Sequence, residues 1–350
     1  MIRVATVASA GSLLLAIACA REEHLSSADS TTARERSFVY ISNEDSNDIS
    51  VIDTRTDSVV ATIPVGKRPR GILVSPDGRT VYVALSGSPK APPGVDESTL
   101  PPPDKAADGI AAIDIATHRV RATYPAGSDP EAFAIARDGR TIYVSNEDAG
   151  SASALDVETG RVAYTLRVGD EPEGVGITPD GRYVYVTGET TNDVAVIDVD
   201  VRHVVKRIPT GKRPRAIAFT PDGRKAYVSA ELGGTVAVID VERHEVVDTI
   251  SVPGEGAKPM GLAISPDAKL LLVTTGRGGS LAFVDVERDS LLATVPVGPR
   301  PWGVAISRDG AKAYTANGPS HDVSVVDIAT RRVVKRVSVG RLPWGVASPH

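Results

Sequence analysis

The chain has 350 residues, 41% of them hydrophobic and 24% charged, with a formal net charge of −5, 32 Gly, 25 Pro and one Cys. This balance excludes a disordered chain, a collagen-like chain and a basic nucleic-acid-binding protein. The single Cys19 excludes an internal disulfide framework, a thiolate zinc site and an iron–sulfur cluster, and no apolar run reaches the roughly 18 residues of a membrane-spanning helix. Aromatic residues are only 4% of the chain, so the core must be built from Val, Ile, Ala and Leu.

In chain order, residues 1–18 come first. One positive charge at Arg3 is followed by an apolar or small run from Val4 to Ala18, the pattern of an export signal rather than of a folded element. Leu15-Ala16-Ile17-Ala18 stands directly before Cys19 and resembles a bacterial lipoprotein signal, in which the cysteine becomes the lipidated N-terminus. That implies a protein of the periplasm, lipid-anchored to the outer membrane or else secreted, touching membrane only through its N-terminal lipid. Residues 19–36 are polar and read as a tether.

From residue 37 onward the chain repeats. Ile49-Ser-Val-Ile-Asp53 recurs with Asp at 114, 156, 198, 240, 285 and 327. Pro69-Arg-Gly-Ile72 recurs with Pro at 130, 172, 214, 259, 301 and 343. The spacing is 42 residues, except for first intervals of 61 and one interval of 45 in each series. Within the unit opened by Pro172, period-two alternation predicts strands over Glu173–Thr178, Tyr183–Thr187, Val194–Ile197 and Val204–Ile208, with Asp180-Gly181 as the first turn. Four strands in about 42 residues is the pattern of a β-propeller blade. The repeat begins at residue 37 with a second strand and ends at Pro343-Trp-Gly-Val-Ala347 with a first strand. The expected fold is therefore all-β: a seven-bladed propeller over residues 37–350, closed by pairing the N-terminal strands with the C-terminal one.

Tyr143-Val-Ser-Asn146, Val323-Ser-Val-Val-Asp327 and Ile63-Pro-Val-Gly66 resemble the YVTN family of β-propeller repeats. The order Arg68-Pro-Arg-Gly71, Asp129-Pro-Glu-Ala-Phe133, Glu171-Pro-Glu-Gly174, Gly188-Glu-Thr-Thr-Asn192, Arg213-Pro-Arg215, Glu231-Leu-Gly-Gly-Thr-Val236 and Leu342-Pro-Trp-Gly-Val346 is similar to the propeller proteins associated with PQQ-dependent alcohol catabolism. The resemblance implies a periplasmic accessory of quinone-dependent oxidation. Two features depart from it: the lipoprotein-like leader and a Pro-rich insertion at about 87–108, with Pro at 89, 92, 93, 101, 102 and 103. The insertion is a lid or partner-docking arm, or a tolerated surface segment.

In a propeller blade the first strand lies nearest the axis, so the residue after each repeat Pro enters at the channel mouth. In blade order these are Arg70, Glu131, Glu173, Arg215, Met260, Trp302 and Trp344. The position does not keep one residue type: a charged arc faces an apolar arc that holds both tryptophans. This suits an amphipathic ligand or a protein side-chain anchor. The competing expectation is that Arg70–Glu131 and Glu173–Arg215 pair across blades while the tryptophans plug the channel.

Loops after the second strands add Asn43, Glu44, Asn146, Glu147, Glu189 and Glu231 as a rim. These are hard oxygen donors that could hold a divalent cation, but solvated loop acids are commoner and no metal site is assigned. Lys67-Arg68 and Lys212-Arg213 lie beside the mouth, either to receive a carboxylate or phosphate or as soluble rim. The seven repeat Asp residues each precede a turn and are read as turn caps. His118, His203 and His244 fall on outer hairpins, His321 falls in a mouth-side loop, and no nucleophile motif is present.

The leading expectation is an exported, non-enzymatic propeller that binds a protein or small ligand at the channel mouth, without a cofactor of its own. Its partner would be a periplasmic dehydrogenase, another exported protein or a small ligand, with no nucleic acid, and the chain is expected to be a monomer. The alternatives are a lactonase-like hydrolase using Glu131, Glu173 and Glu189, and a surface or scaffold propeller.

Overall fold

Runs such as Tyr183-Val-Tyr-Val-Thr187 favour extended backbone, and Asp-Gly pairs between runs turn the chain at positive φ (Gly181, 77°). The computed structural model describes residues 37–90 and 99–349. There these runs form seven antiparallel four-stranded sheets, with short 3-10 turns at Lys105–Ala107, Gly276–Gly278 and Gly318–Ser320 and no α-helix among the described residues. The chain is a seven-bladed β-propeller. The leader, Cys19, the tether and the centre of the insertion lie outside the described residues.

The strands of blade three are Pro172–Ile177, Tyr183–Gly188, Asp193–Asp198 and His203–Pro209, each end within one residue of the sequence expectation. Blade seven joins the two ends of the propeller: Pro343–Ala347 pairs with Phe38–Asn43, followed by Asp48–Asp53 and Ser58–Pro64. Ile41 faces Val346 and Tyr40 faces Ala347. All seven repeat Asp residues cap the turn that follows them. Asp114 Oδ1 accepts from the Thr117 N–H at 2.7 Å, Asp327 Oδ1 from the Thr330 N–H at 2.8 Å, and the other five do likewise.

The core is seven apolar clusters, one between each pair of neighbouring blades. Between blades seven and one, for example, Ile49, Val51 and Ile63 meet Ile72, Val81 and Val83. Second and third strands are covered on both faces, which is why they read as nearly continuous aliphatic runs. Tyrosines span the outer part of the seams. Tyr227 Oη donates to Asp289 at 2.6 Å and Tyr314 Oη donates to Asp57 at 2.8 Å, each acceptor standing in the outer turn of the next blade.

One local device sets the geometry of the mouth. In blade three Pro172 faces Gly188 and Val175 faces Val186, so Glu173 and Gly174 together oppose Thr187 alone. This is a β-bulge, and it turns the residue after the Pro out of the pleat. The same count recurs in blades one, two, four, six and seven. The bulge leaves a ladder N–H unpaired, and the Thr187 hydroxyl accepts it (Gly174 N–H, 2.7 Å) while donating to the Arg215 carbonyl of the next blade at 2.9 Å. Ser42, Ser145, Ser229 and Thr274 perform the same double service towards the carbonyls of Arg70, Glu173, Met260 and Trp302. Successive inner strands therefore pack backbone against backbone. A Cβ on Gly71 would stand 2.7 Å from the Glu131 carbonyl oxygen, and one on Gly345 would stand 2.7 Å from that of Arg70.

Thr187→Val keeps the volume of the side chain and removes both bonds. It should lower stability by about 1–3 kcal/mol, since a buried N–H and a buried C=O each lose a partner. The denaturant midpoint measures this, with the exposed Thr249→Val as the near-neutral control. Equal midpoints would show that the hydroxyl does not hold the bulge.

Candidate functional site

The bulges aim the residues after the repeat Pro into one cavity of about 870 Å³, whose lining includes Arg70, Glu131, Glu173, Arg215, Trp302 and Trp344. The described parts of the insertion form its outer wall through Ser88, Pro89, Lys90 and Leu100–Pro103. That wall is tied down at several points. Lys67 bonds Asp104 at 2.7 Å, Lys90 bonds Asp45 at 2.6 Å, Arg68 donates to the Ser88 carbonyl at 2.5 Å, and Lys105 pairs with Asp148.

The charged half is paired internally. Arg70, its side chain only 4% exposed, forms ion pairs with Glu131 and Asp129 and lies 3.6 Å from Glu147. Arg215 pairs with Glu173, with Glu189 at 2.5 Å and with Glu231 at 2.8 Å. Arg68 holds Glu44 at 2.9 Å, and Arg213 holds Glu189. The expected cross-blade pairs Arg70–Glu131 and Glu173–Arg215 are thus both present, and the two rim arginines are occupied by carboxylates of the protein itself. Asp129 belongs to this network although sequence reasoning did not select it. It precedes the repeat Pro in the left-handed region (φ 53°), as do Arg68, Glu171, Arg213, Arg300 and Leu342. The signal that would have found it is the recurrence of a polar residue immediately before that Pro.

The titration of these groups follows from burial. Burial opposes the charge of Arg70, but Glu131, Asp129 and Glu147 hold it above the usual arginine range. Arg215 is held up in the same way by Glu173, Glu189 and Glu231. Burial drives Glu131 well above the usual carboxylate range, reinforced by Glu173 and Glu147 against Arg70, and it also raises Glu147. Burial and the Glu173 charge push Glu189 up to about 8 despite Arg215. Glu231 goes the other way: its burial is outweighed by Arg215 and its carboxyl is held low.

The other half is aromatic. The Trp302 and Trp344 rings lie 5.6 Å apart, tilted by 34°. The Arg300 and Arg215 guanidiniums sit over the Trp302 ring at 5.0 and 5.6 Å. Both tryptophans are half-buried and line the cavity rather than closing it off. Met260, 3% exposed, is packed inward beside Gly276. Arg277 and Arg300, which sequence reasoning passed over, also line this half.

The rim divides. Glu44, Glu147 and Glu189 face the cavity, and Glu231 reaches it through Arg215. Asn43 and Asn146 are fully buried and turned into their own blades. Asn43 Nδ2 donates to Asp48 at 2.7 Å and to Ser50 at 2.9 Å, and Asn146 Nδ2 donates to Ser153 at 2.8 Å. They tie second strand to third through Nδ2, and their Oδ1 atoms are buried without a hydrogen-bond partner. His321 Nδ1 accepts from the Leu342 N–H at 3.0 Å, a loop-bracing role. Among the described residues no group of three or more His, Cys, Asp or Glu is arranged to hold a metal ion.

Comparison with known proteins agrees on the fold. The family described as "Lactonase, 7-bladed beta-propeller" matches residues 202–338, and a "YNCE-like beta-propeller" family matches residues 98–179. Hydrazine synthase of Kuenenia stuttgartiensis superposes with a TM-score of 0.71 at 23% identity, covering 83% of this chain and 92% of that one. A Bacteroides uniformis protein described as a candidate 6-phosphogluconolactonase superposes with a TM-score of 0.73 at 19% identity, covering 90% and 100%. Antigen Lp49 of Leptospira interrogans is 28% identical over 140 residues, 31% of each protein, so the chain spans about a third of the length of that curated relative.

Two measurements test the charged half. Arg70→Ala strands the buried Asp129 and Glu131 carboxyls and should lower stability by about 3–5 kcal/mol, read as a shift in denaturant midpoint. Glu189 has a folded-state value near 8 against an ordinary 4.5, so the folded protein binds the extra proton between these limits. Its stabilising contribution is complete below about pH 4.5 and is lost as pH rises through 8. Glu189→Gln should therefore flatten the decline in stability across that window. Parallel pH profiles would contradict the assignment.

Proposed function

We propose that this propeller is an exported, non-enzymatic binding protein whose mouth cavity receives a small molecule or a side-chain anchor of another exported protein. The observation that carries the reading is the cavity of about 870 Å³, in which an ion-paired arc faces an aromatic one. Small-molecule sites commonly enclose about 300–1,000 Å³ with few polar groups to orient the guest. The carboxylates of the charged arc are engaged by arginines, which suits a rigid wall better than a nucleophile-bearing one. In this reading the leader directs the chain out of the cytoplasm and Cys19 anchors it at the outer membrane. The motif order from Arg68-Pro-Arg-Gly71 to Leu342-Pro-Trp-Gly-Val346 supports a role beside a periplasmic dehydrogenase in PQQ-dependent alcohol oxidation.

Only Trp302 and Trp344 report in intrinsic fluorescence, and both line the cavity. A saturable change on adding PQQ or a periplasmic alcohol dehydrogenase is expected. Calorimetry on Trp302→Ala with Trp344→Ala should show binding weakened by about tenfold or more, with circular dichroism unchanged. Unaltered affinity in that folded variant would remove the mouth as the site.

A second reading, a lactone hydrolase, is favoured by Glu189 at about 8 and by the lactonase family match. A carboxyl protonated at neutral pH suits a general acid: water would add to the lactone carbonyl, the ring C–O bond would break, Glu189 would protonate the departing oxygen, and the proton released by the added water would return to Glu189. Glu131 and Glu173 would orient the lactone and the water. Turnover of a lactone panel that survives in Glu131→Gln, Glu173→Gln and Glu189→Gln would reject this reading.

A further inference from the structure

The mouth is not evenly balanced in charge. On one half, each cavity-lining arginine is matched: Arg68 by Glu44, Arg70 by Glu131 and Asp129, Arg213 by Glu189 and by Glu231 at 3.5 Å, and Arg215 by Glu173, Glu189 and Glu231. On the other half Arg277 and Arg300 line the same cavity and, among the described residues, have no carboxylate within ion-pairing distance. The nearest acids are already engaged, Glu231 by Arg215 and by Lys258 at 3.8 Å, and Glu44 by Arg68. Arg300 is held over the Trp302 ring, and partial loss of solvation together with the like charge of Arg277 lowers it from the usual arginine range. Two guanidiniums that repel one another across a concave aromatic surface are a mismatch that an anion would relieve. The Trp344 ring, in edge-tilted contact with Trp302, has no cation over it among the described residues. It is the flat apolar surface left open beside the arginines.

Resting on the mouth-binding reading, we propose that Arg277, Arg300, Trp302 and Trp344 form a recognition subsite for a carboxylate or phosphate carried on a planar aromatic body. The anionic group binds between the two guanidiniums, whose forked donors match either oxyanion. The ring system lies against the tryptophan pair, where burial and aromatic contact stabilise it. The charged half of the mouth contributes no cation to this recognition, because its arginines are satisfied within the protein. Neutral aromatic molecules and isolated oxyanions each meet only half of the subsite.

The test is isothermal titration calorimetry of the full-length protein with three probes: naphthalene-2-carboxylate, 2-naphthyl phosphate and the neutral naphthalene-2-carboxamide. At least one anion should bind about tenfold or more tightly than the amide, and its affinity should fall as ionic strength rises. The stronger of the two anions then identifies the natural group as a carboxylate or a phosphate. In Arg277→Gln with Arg300→Gln the anion advantage should vanish while weak binding of the amide persists. Both arginines are exposed, so this variant should melt with the parent protein. Equal binding of anion and amide, or an anion advantage that survives the double substitution, overturns the subsite while leaving the mouth as a binding cavity. Silence from all three probes also overturns it. The broader reading fails separately, when the PQQ and dehydrogenase titrations are silent as well.

Discussion

The mouth of this propeller depends on the β-bulge at the start of the inner strand. An unbulged strand would keep period two, and the residue after the Pro would project into a seam between blades. In six of the seven blades the bulge breaks the period once and turns that residue towards the axis. Its cost is an unpaired N–H, which a hydroxyl from the second strand satisfies in four of these blades while gripping the neighbouring blade's carbonyl. One side chain thus completes its own blade and fixes the backbone of the next ring residue. The ring is held by its main chain, which leaves its side chains free to differ from blade to blade.

That freedom has been used unevenly. Arg70 and Arg215 are buried deeply enough that each would be costly alone, and each is surrounded by three carboxylates. Several acids around one guanidinium cannot all keep their charge in a desolvated site, so Glu131 and Glu189 rise while Glu231 stays low. Such networks seldom add much net stability compared with apolar packing. What they provide is a wall whose donors and acceptors are already committed. Selectivity then falls to the half where commitment is incomplete.

Much of the architecture was legible in the sequence because it repeats. The Pro and Asp phrases phase the blades, the seven Asp residues occupy one turn position, and the split of blade seven follows from where the repeat starts and stops. Six of the ring positions were legible for the same reason, whereas Met260 belongs to the blade without the bulge and is packed inward. What was hidden is whatever depends on pairing across the repeat. Asn43 and Asn146 look like rim residues beside Glu44 and Glu147, but strand register turns them inward towards Ser50 and Ser153. Arg277 follows a second strand and Arg300 precedes a Pro, and only the closed ring brings them to one wall. The insertion's course over the mouth rests on bonds from Lys67 to Asp104 and from Lys105 to Asp148, which no local pattern announces.

Blade seven has a thermodynamic consequence. Its inner strand, Pro343–Ala347, is the last strand in the chain and carries Trp344. The strand that shuts the ring is therefore the strand that completes the aromatic pair. A guest resting on Trp344 can do so only when the clasp is fastened. Its binding free energy is then added to the free energy of closure. Occupancy and circular integrity become one equilibrium: a filled mouth resists unzipping at the seam, and a loosened seam empties the mouth.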